Sequence, residues 1–268
     1  MSMSPKPIPL LGMGTWGMGG KFERDPSNID ASIAALQYGF ELGITLVDVA
    51  EIYGAGLSEE IVGKAIAGRQ REDIFIISKV WKTNLDHAGV LKAAEKSLAR
   101  LETDYIDLYL VHWPNEEVPL QETMAAMEYL YSKKMIRAIG VSNFSSALMK
   151  EAQGYLTSAK LAANQIEYNL KERAAEKEII PYAKDNDVHI IAYRPFARGI
   201  LTEAGNTVVE MLAKKYNKTQ NQITLNWLTT QNMTAIPKSS SHEHIKENAG
   251  ALGWRLSKED VELLRSAT

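Results

Sequence analysis

Four residues of this chain could move or steer a proton together. Asp48 closes an apolar run and Tyr53 follows it five residues later. Lys79 closes the next run in Ser78-Lys79, and His112 the one after in Val111-His112-Trp113. Singly, each has an ordinary reading: a strand-end Asp caps, a strand-end Lys is solvated, and a lone His is hydrogen-bonded in a core. Charged groups at the ends of apolar strands must still be paired, because burying one alone is costly. Here they can satisfy each other, Asp48 with Lys79 and Lys79 with Tyr53. A phenol with a pKa of about 10 is a poor proton donor at neutral pH. A neighbouring ammonium favours phenolate and lowers that value, and Asp48 can hold the ammonium charged and in place. The product is a tuned general acid, with His112 nearby to orient a substrate oxygen. Protonating an oxygen while a hydride adds to its carbon is carbonyl reduction. No side chain supplies a hydride, so a nicotinamide cofactor is implied.

Those residues converge only in a fold that gathers strand ends. The apolar runs are Leu10–Met13, Ile44–Val49, Ile74–Ser78, Ile106–Val111, Ile136–Val141, Leu161–Ile166, Val188–Ala192 and Met233–Ile236. Most are continuously apolar, as suits strands buried on both faces of a parallel sheet. Helical patterns lie between them. Asp25-Pro26 reads as an N-cap with Pro at the first helical position, ahead of Ile29, Ile33, Leu36 and Phe40. Ser58-Glu59-Glu60 opens a second helix and Asp86 a third. Further helices carry Leu120 to Tyr131, Leu148, Ile179 to Ala183, and His242 to Ala249. Val208–Tyr216 and Gln222–Leu228 look like one interrupted helical region. A last helix follows Ser257, with Asp260 three residues on as its capping-box partner. Eight strand–helix units of about 30 residues favour a closed barrel over an open doubly wound sheet. The expectation is an α/β protein, a (β/α)8 TIM barrel, with residues 1–268 forming a single domain. In such barrels the chemistry sits at the C-terminal strand ends.

The 268-residue chain is 45% hydrophobic and 24% charged, which fits a globular protein rather than a disordered or fibrous one. Thirty Lys plus Arg against 33 Asp plus Glu give a net charge of −3, without the basic excess of a nucleic-acid binder. With no cysteine, disulfides, thiol nucleophiles and Cys-ligated metals are excluded. Met1 to Leu10 has no apolar signal-peptide core and no window approaches a membrane span, so a cytoplasmic protein with no membrane partner is expected. Gly12 to Gly17 fits G-x-G-x-x-G, yet Met18-Gly19-Gly20 and Pro26 delay the helix that a dinucleotide fingerprint requires. It reads instead as a flexible loop after the first strand. Metal catalysis has no His-Glu-x-x-His, and His242-x-His244 puts its rings on different sides of a helix. A Ser–His–Asp hydrolase lacks its G-x-S-x-G elbow. An isomerase of phosphorylated sugars would need a Gly-rich phosphate loop after strand seven or eight, for which Ala197-Arg198-Gly199 is too little.

Over essentially its whole length the chain resembles the aldo-keto reductases. The matching stretches are Leu11 to Trp16, Gly43 to Asp48, Ser78 to Trp81, Asp107 to Trp113, Gly140 to Phe144, Asn164 to Asn169, Ala192 to Pro195, and Ile236 to Ser239. The resemblance implies a catalytic tetrad of Asp48, Tyr53, Lys79 and His112, with Tyr53 the proton donor. It implies NADPH as cofactor, with NADH binding more weakly. Ser142, Asn143 and Gln165 would hold the nicotinamide carboxamide and Tyr193 would stack on its ring. Gly14, Thr15 and Asp48 would lie near the nicotinamide ribose. Pro195 and Phe196 follow the pyrophosphate loop. Ile236, Lys238 and Ser239 would carry the 2′-phosphate clamp, and Glu247 and Asn248 would meet the adenine.

Two positions depart from the family. Arg194 replaces the usual Ser and either contacts pyrophosphate or points to solvent. His244 replaces the Arg that usually grips the 2′-phosphate. Most of the C-terminal segment of larger members is lacking here, which predicts an open side to the substrate pocket, and the N-terminal hairpin that closes the barrel bottom in the family is expected to be truncated. Trp16, Trp81 and Trp113 either line a substrate cleft, with His112, or pack its rim. The partner expected is a small-molecule carbonyl compound. The competing expectation is a cofactor-binding, redox-sensing regulatory subunit with the same fold and little turnover.

Overall fold

The computed structural model describes residues 6–197 and 207–267; Arg198 and Gly199 lie outside them. The strands are β1 (Gly12–Gly14), β2 (Leu46–Asp48), β3 (Phe75–Val80), β4 (Leu108–Val111), β5 (Ile139–Ser142), β6 (Leu161–Glu167), β7 (His189–Tyr193) and β8 (Thr234–Ala235). They form one parallel sheet in chain order. Parallel bridges at Leu11–Ala235 and Gly14–Lys238 join its two edges and close the barrel. Each expected run overlaps a strand. Most strands begin later than the run, because residues such as Ile44, Ile74 and Ile136 are buried ahead of the ladder.

Helices α1 (Ile29–Glu41), α2 (Leu57–Ile66), α3 (His87–Leu101), α4 (Leu120–Ser132), α5 (Ser146–Tyr155), α6 (Ile179–Asp185), α7 (Thr207–Tyr216), α8 (Gln220–Thr230), α9 (His242–Ala249) and α10 (Lys258–Ala267) surround it. Asp25 caps the short Pro26–Asn28 turn before α1, and Asp86 caps α3. Helix α2 opens where expected, at Leu57 after a left-handed Gly56, with Ser58 and Glu59 buried in its first turn. Two expectations need correcting. The region after β7 is two helices, because Thr219 and Gln222 form a full capping box that starts α8 afresh. Ser257 does cap α10, accepting from the Asp260 N–H, but its own backbone N–H donates to Tyr216 Oη, since the Asp260 carboxylate is taken by Lys215 and Tyr216.

The strands place the polar residues by simple alternation. Successive side chains point to opposite faces. Leu46, Phe75, Ile77, Leu108, Leu110, Ala163, Ile191 and Ile236 form the inner core. Two residues beyond an inward member lies the next inward member. Leu46 leads to Asp48, Ile77 to Lys79, Leu110 to His112, Ala163 to Gln165, and Ile191 to Tyr193. The register staggers these tiers: Asp48 pairs with Ile77, and Lys79 with Leu110. The outer series, including Val47, Ile76, Tyr109 and Val111, packs against the helices in the larger core.

The other end of the barrel is covered by the segment before β1. Ile8 packs on the inner core, and Thr234 Oγ1 donates to Pro9 O at 2.7 Å while pairing with His189 Nε2 at 2.8 Å. Burial lowers the His189 pKa to about 4. Among the described residues, no helix is long and apolar enough to cross a membrane.

Candidate active site

Lys79 is wholly buried at the C-terminal end of β3. Its Nζ donates to Asp48 Oδ1 at 2.7 Å, to Val49 O at 2.9 Å, and to Tyr53 Oη at 3.3 Å. Burial works against the ammonium, but Asp48 and Tyr53 outweigh it and hold the Lys79 pKa above its ordinary value. Asp48 is fixed on its other side by Gln165 Nε2 at 2.6 Å. Its backbone carbonyl accepts both the N–H and the hydroxyl of Thr15, at 3.1 and 2.9 Å.

Tyr53 reaches Lys79 from a turn between β2 and α2. Gly54, Ala55 and Gly56 there take φ of 55°, 48° and 91°. A Cβ at Gly54 would collide with the Gly19 carbonyl, so both the left-handed backbone and the close approach require glycine. The expected direction of the Tyr53 shift is corrected. Burial raises the phenol pKa, and the Lys79 charge only partly offsets it. Tyr53 therefore keeps its proton throughout the neutral range.

The Tyr53 and His112 ring centroids lie 5.7 Å apart, edge on. Burial, with the Lys79 charge beside it, lowers the His112 pKa to about 2, so the imidazole is neutral. Its Nδ1 is buried without a partner. A proton there would be a stranded donor, so the stable tautomer carries its proton on Nε2.

These residues open into a cavity of about 670 Å³. Trp16, Trp81, Trp113, Phe22 and Ile52 line it near Tyr53 and His112, and Lys238, Ser239, His244 and Asn248 line it elsewhere. Trp16 sits edge on to Tyr53 at 4.9 Å, and Phe22 edge on to Trp16 at 5.1 Å. Glu51 anchors the Trp81 backbone, accepting its N–H at 2.6 Å. Phe22, Ile52 and Asn221 also line the cavity without having stood out in the sequence, and Pro237 joins them from within the Ile236 to Ser239 stretch. They come from the loop after β1, the segment after β2, the start of α8 and the segment after β8.

Next to the tetrad lies a set of amide and hydroxyl groups. Ser142 Oγ donates to Gln165 O at 2.9 Å, and Asn143 Nδ2 donates to Ser142 Oγ and to His112 O. Asn143 is left-handed at φ 63°, and its Oδ1 accepts the Tyr193 hydroxyl at 3.0 Å. Side-chain amides carry both donors and acceptors, the complement of a carboxamide. Farther along the cavity Lys238 is exposed and makes no ion pair among the described residues, as suits an anion. Amide-matched groups and an unpaired cation along one cavity fit an anionic nicotinamide dinucleotide.

Gly14, Thr15, Asp48, Arg194, Pro195, Phe196 and Ile236 also line that cavity. Two of the expected cofactor residues have partners within the chain. Arg194, exposed at the cavity wall, pairs its Nη1 with Glu167 Oε2 at 2.8 Å. Glu247 is not among the lining residues; its Oε2 accepts from Asn221 Nδ2 at 2.9 Å.

Residues 10–268 match the Aldo/keto reductase family. The chain is similar to methylglyoxal reductase YeaE of Escherichia coli (strain K12), with 38% identity over 264 residues, covering 97% of this chain and 91% of that protein. It is similar in structure to a thermostable aldo-keto reductase, Tm1743, solved with the inhibitor epalrestat. The TM-score is 0.93 at 42% identity, covering 97% of this chain and 96% of that one. An aldo/keto reductase from Klebsiella pneumoniae, solved with NADP and acetate, matches with a TM-score of 0.85 at 35% identity, covering 97% and 91%.

Proposed function

Since this chain belongs to the aldo/keto reductase family, we propose that Asp48, Tyr53, Lys79 and His112 carry out its reaction, with Tyr53 as proton donor. The protein is an NADPH-dependent oxidoreductase that reduces aldehydes or ketones to alcohols. The observation that carries the residue roles is the buried line Asp48–Lys79–Tyr53, joined by contacts of 2.7 and 3.3 Å at the cavity wall. NADPH supplies the hydride when bound. Ser142, Asn143 and Gln165 would hold its carboxamide, Tyr193 would lie against the ring, and Lys238 and Ser239 would take the 2′-phosphate. Gly14, Thr15, Pro195, Phe196, Ile236 and Asn248 would line its path.

Within this frame the side chains divide the work. The Nε2–H of neutral His112 orients the substrate oxygen toward Tyr53. Tyr53 gives that oxygen its proton as the adjacent carbon is reduced. Lys79 stabilises the phenolate left behind, and Asp48 with Gln165 keeps the ammonium where it is needed. Trp16, Trp81, Trp113 and Phe22 exclude water around the substrate. The regulatory alternative has no support among the reported relatives, which are named as reductases.

We further propose that the substrates are small 2-oxoaldehydes and flat aromatic aldehydes. The first class is supported by the name of the YeaE relative and the second by the aromatic wall. Steady-state NADPH oxidation with a panel of methylglyoxal, benzaldehydes, simple ketones and charged keto acids tests this. Turnover of the first two groups is expected to lead. Activity confined to one charged keto acid would overturn the substrate reading, and no turnover on any member would overturn the enzymatic one.

The 2′-phosphate end gives a separate expectation. Arg grips a phosphate through two parallel hydrogen bonds, whereas an imidazole offers one. His244 lines the cavity with Lys238 and is exposed. NADPH is therefore expected to bind more tightly than NADH, by less than a clamp with Arg would give. His244→Arg should tighten NADPH by roughly tenfold or more and leave NADH little affected. Fluorescence titrations of both cofactors with the two proteins decide it. Equal affinity for NADH and NADPH would remove the clamp from this end of the cavity.

A further inference from the structure

Tyr53 and Lys79 meet at 3.3 Å but arrive on separate stretches of chain. Tyr53 stands just before three left-handed residues, Gly54, Ala55 and Gly56. Such a backbone persists only where its surroundings over-determine it. The first turn of α2 follows immediately, and Glu59 in that turn is wholly buried. Its Oε1 accepts the Ser78 hydroxyl at 2.6 Å, and its Oε2 accepts the Arg100 guanidinium of α3 at 2.7 Å. Ser78 immediately precedes Lys79 on β3 and points outward, where Lys79 points inward. Beside Glu59, the Ser58 hydroxyl donates to Thr15 Oγ1 at 3.0 Å, and Thr15 in turn donates to the carbonyl of Asp48.

We propose that Glu59 is a positioning residue: through Ser78 it ties the chain segment carrying Tyr53 to the strand carrying Lys79, and so fixes the phenol–ammonium contact. The proposal rests on Tyr53 being the proton donor. An apolar side chain could pack α2 on β3 without burying a charge, and such replacements are often neutral or stabilising. What the carboxylate adds is direction. Hydrogen bonds set a distance and an angle, while apolar contact lets two elements slide. Burial pushes the Glu59 carboxyl above the usual range, with Arg100 and the Ser78 and Ser97 hydroxyls pulling it back. The tie thus combines an ion pair to α3 with a short hydrogen bond to β3.

The sign of the effect follows from the ammonium. Lys79 favours the phenolate, so drawing it away raises the phenol pKa further. Reduction uses the protonated phenol, and a weaker acid donates more slowly. Oxidation of an alcohol uses the phenolate, so its rise with pH moves upward. The charged and titratable groups facing Tyr53 are Asp48 from β2, Lys79 from β3, His112 after β4 and Tyr193 from β7. None of them is altered by the substitutions below, so a moved profile reports on position.

Ser78→Ala removes the tie and deletes no group at the cavity. Its kcat for aldehyde reduction should fall about tenfold, as displaced catalytic groups do, with NADPH affinity and KM unchanged. Its kcat profile for alcohol oxidation should move up by about half a pH unit or more. Ser78→Thr, which restores a hydroxyl, should recover both. Glu59→Gln keeps an oxygen that can accept from Ser78 and should lose less than Ser78→Ala. A Ser78→Ala enzyme with wild-type kcat and profile would overturn the proposal. So would a loss of kcat with an unmoved profile, which would make Glu59 a packing residue. Tyr53→Phe measured alongside separates the two readings: if it turns over normally, the assignment of Tyr53 fails, whatever the Ser78 variants do.

Discussion

Tyr53→Phe lowers kcat for aldehyde reduction by about 10²–10⁴-fold, the usual weight of general acid catalysis, and leaves NADPH affinity unchanged. The substitution removes one oxygen and keeps the ring. That ring is held edge on by Trp16 at 4.9 Å and lies 4.9 Å from Lys79 Nζ, so the cavity wall keeps its shape. The lost group is the one that faces Lys79 and the substrate. The wild-type pH profile carries the same information. Burial raises the Tyr53 pKa and lowers that of His112 to about 2. Neither group titrates between about pH 5 and 9, so kcat for reduction should be flat there and fall only in the alkaline range. Initial rates of NADPH oxidation across that range check both statements. Near wild-type turnover by Tyr53→Phe would end the assignment.

Lys79→Met is expected to lose activity on a similar scale, and also stability. It leaves the buried Asp48 carboxylate with the Gln165 amide as its hydrogen-bond donor and no cation beside it. Removing one partner of a buried pair costs about 3–5 kcal/mol, because the remaining charge is uncompensated. The sign is clear at neutral pH. The folded Lys79 pKa lies above the ordinary 10.5, so its contribution is complete below 10.5 and is lost only as pH rises through the folded value. Urea midpoints and kcat should be measured together. Adding Asp48→Asn should restore much of the stability without restoring turnover, since the neutral amide no longer needs a cation. Lys79→Met with both turnover and midpoint intact would show the ammonium to be dispensable.

Much of this was legible in the sequence because burial and chemistry left separate marks. Eight apolar runs spaced by helical patterns could hardly be anything but a parallel α/β fold. Polar residues ending those runs had to lie at one end of it. Inward alternation then carries Leu46 to Asp48 and Ile77 to Lys79, a step the strand pattern already contains. What the sequence hid depends on three-dimensional balance. The net direction of the Tyr53 shift pits desolvation against one charge, and no spacing measures desolvation. Ser58 and Glu59 mark the opening of a helix in the sequence, but two polar residues there give no sign of being buried. Only the placement of Ser78 and Arg100 shows that Glu59 is buried. Arg194 pairs with Glu167 across the ends of β7 and β6, and Glu247 with Asn221 between α9 and α8, neighbours that only the assembled barrel brings together.

The three hydrogen bonds of Lys79 have a further consequence. An amine beside an aldehyde carbonyl ordinarily attacks it, and a lysine with a free lone pair would be condensed to an imine by the very compounds this protein reduces. Each N–H of Lys79 is committed, to Asp48, Val49 and Tyr53, and its raised pKa keeps the nitrogen protonated. The nitrogen therefore has no electron pair to offer. The contacts that prepare Tyr53 for proton transfer also make Lys79 chemically inert toward electrophiles, and so guard the site against inactivation by its own substrates.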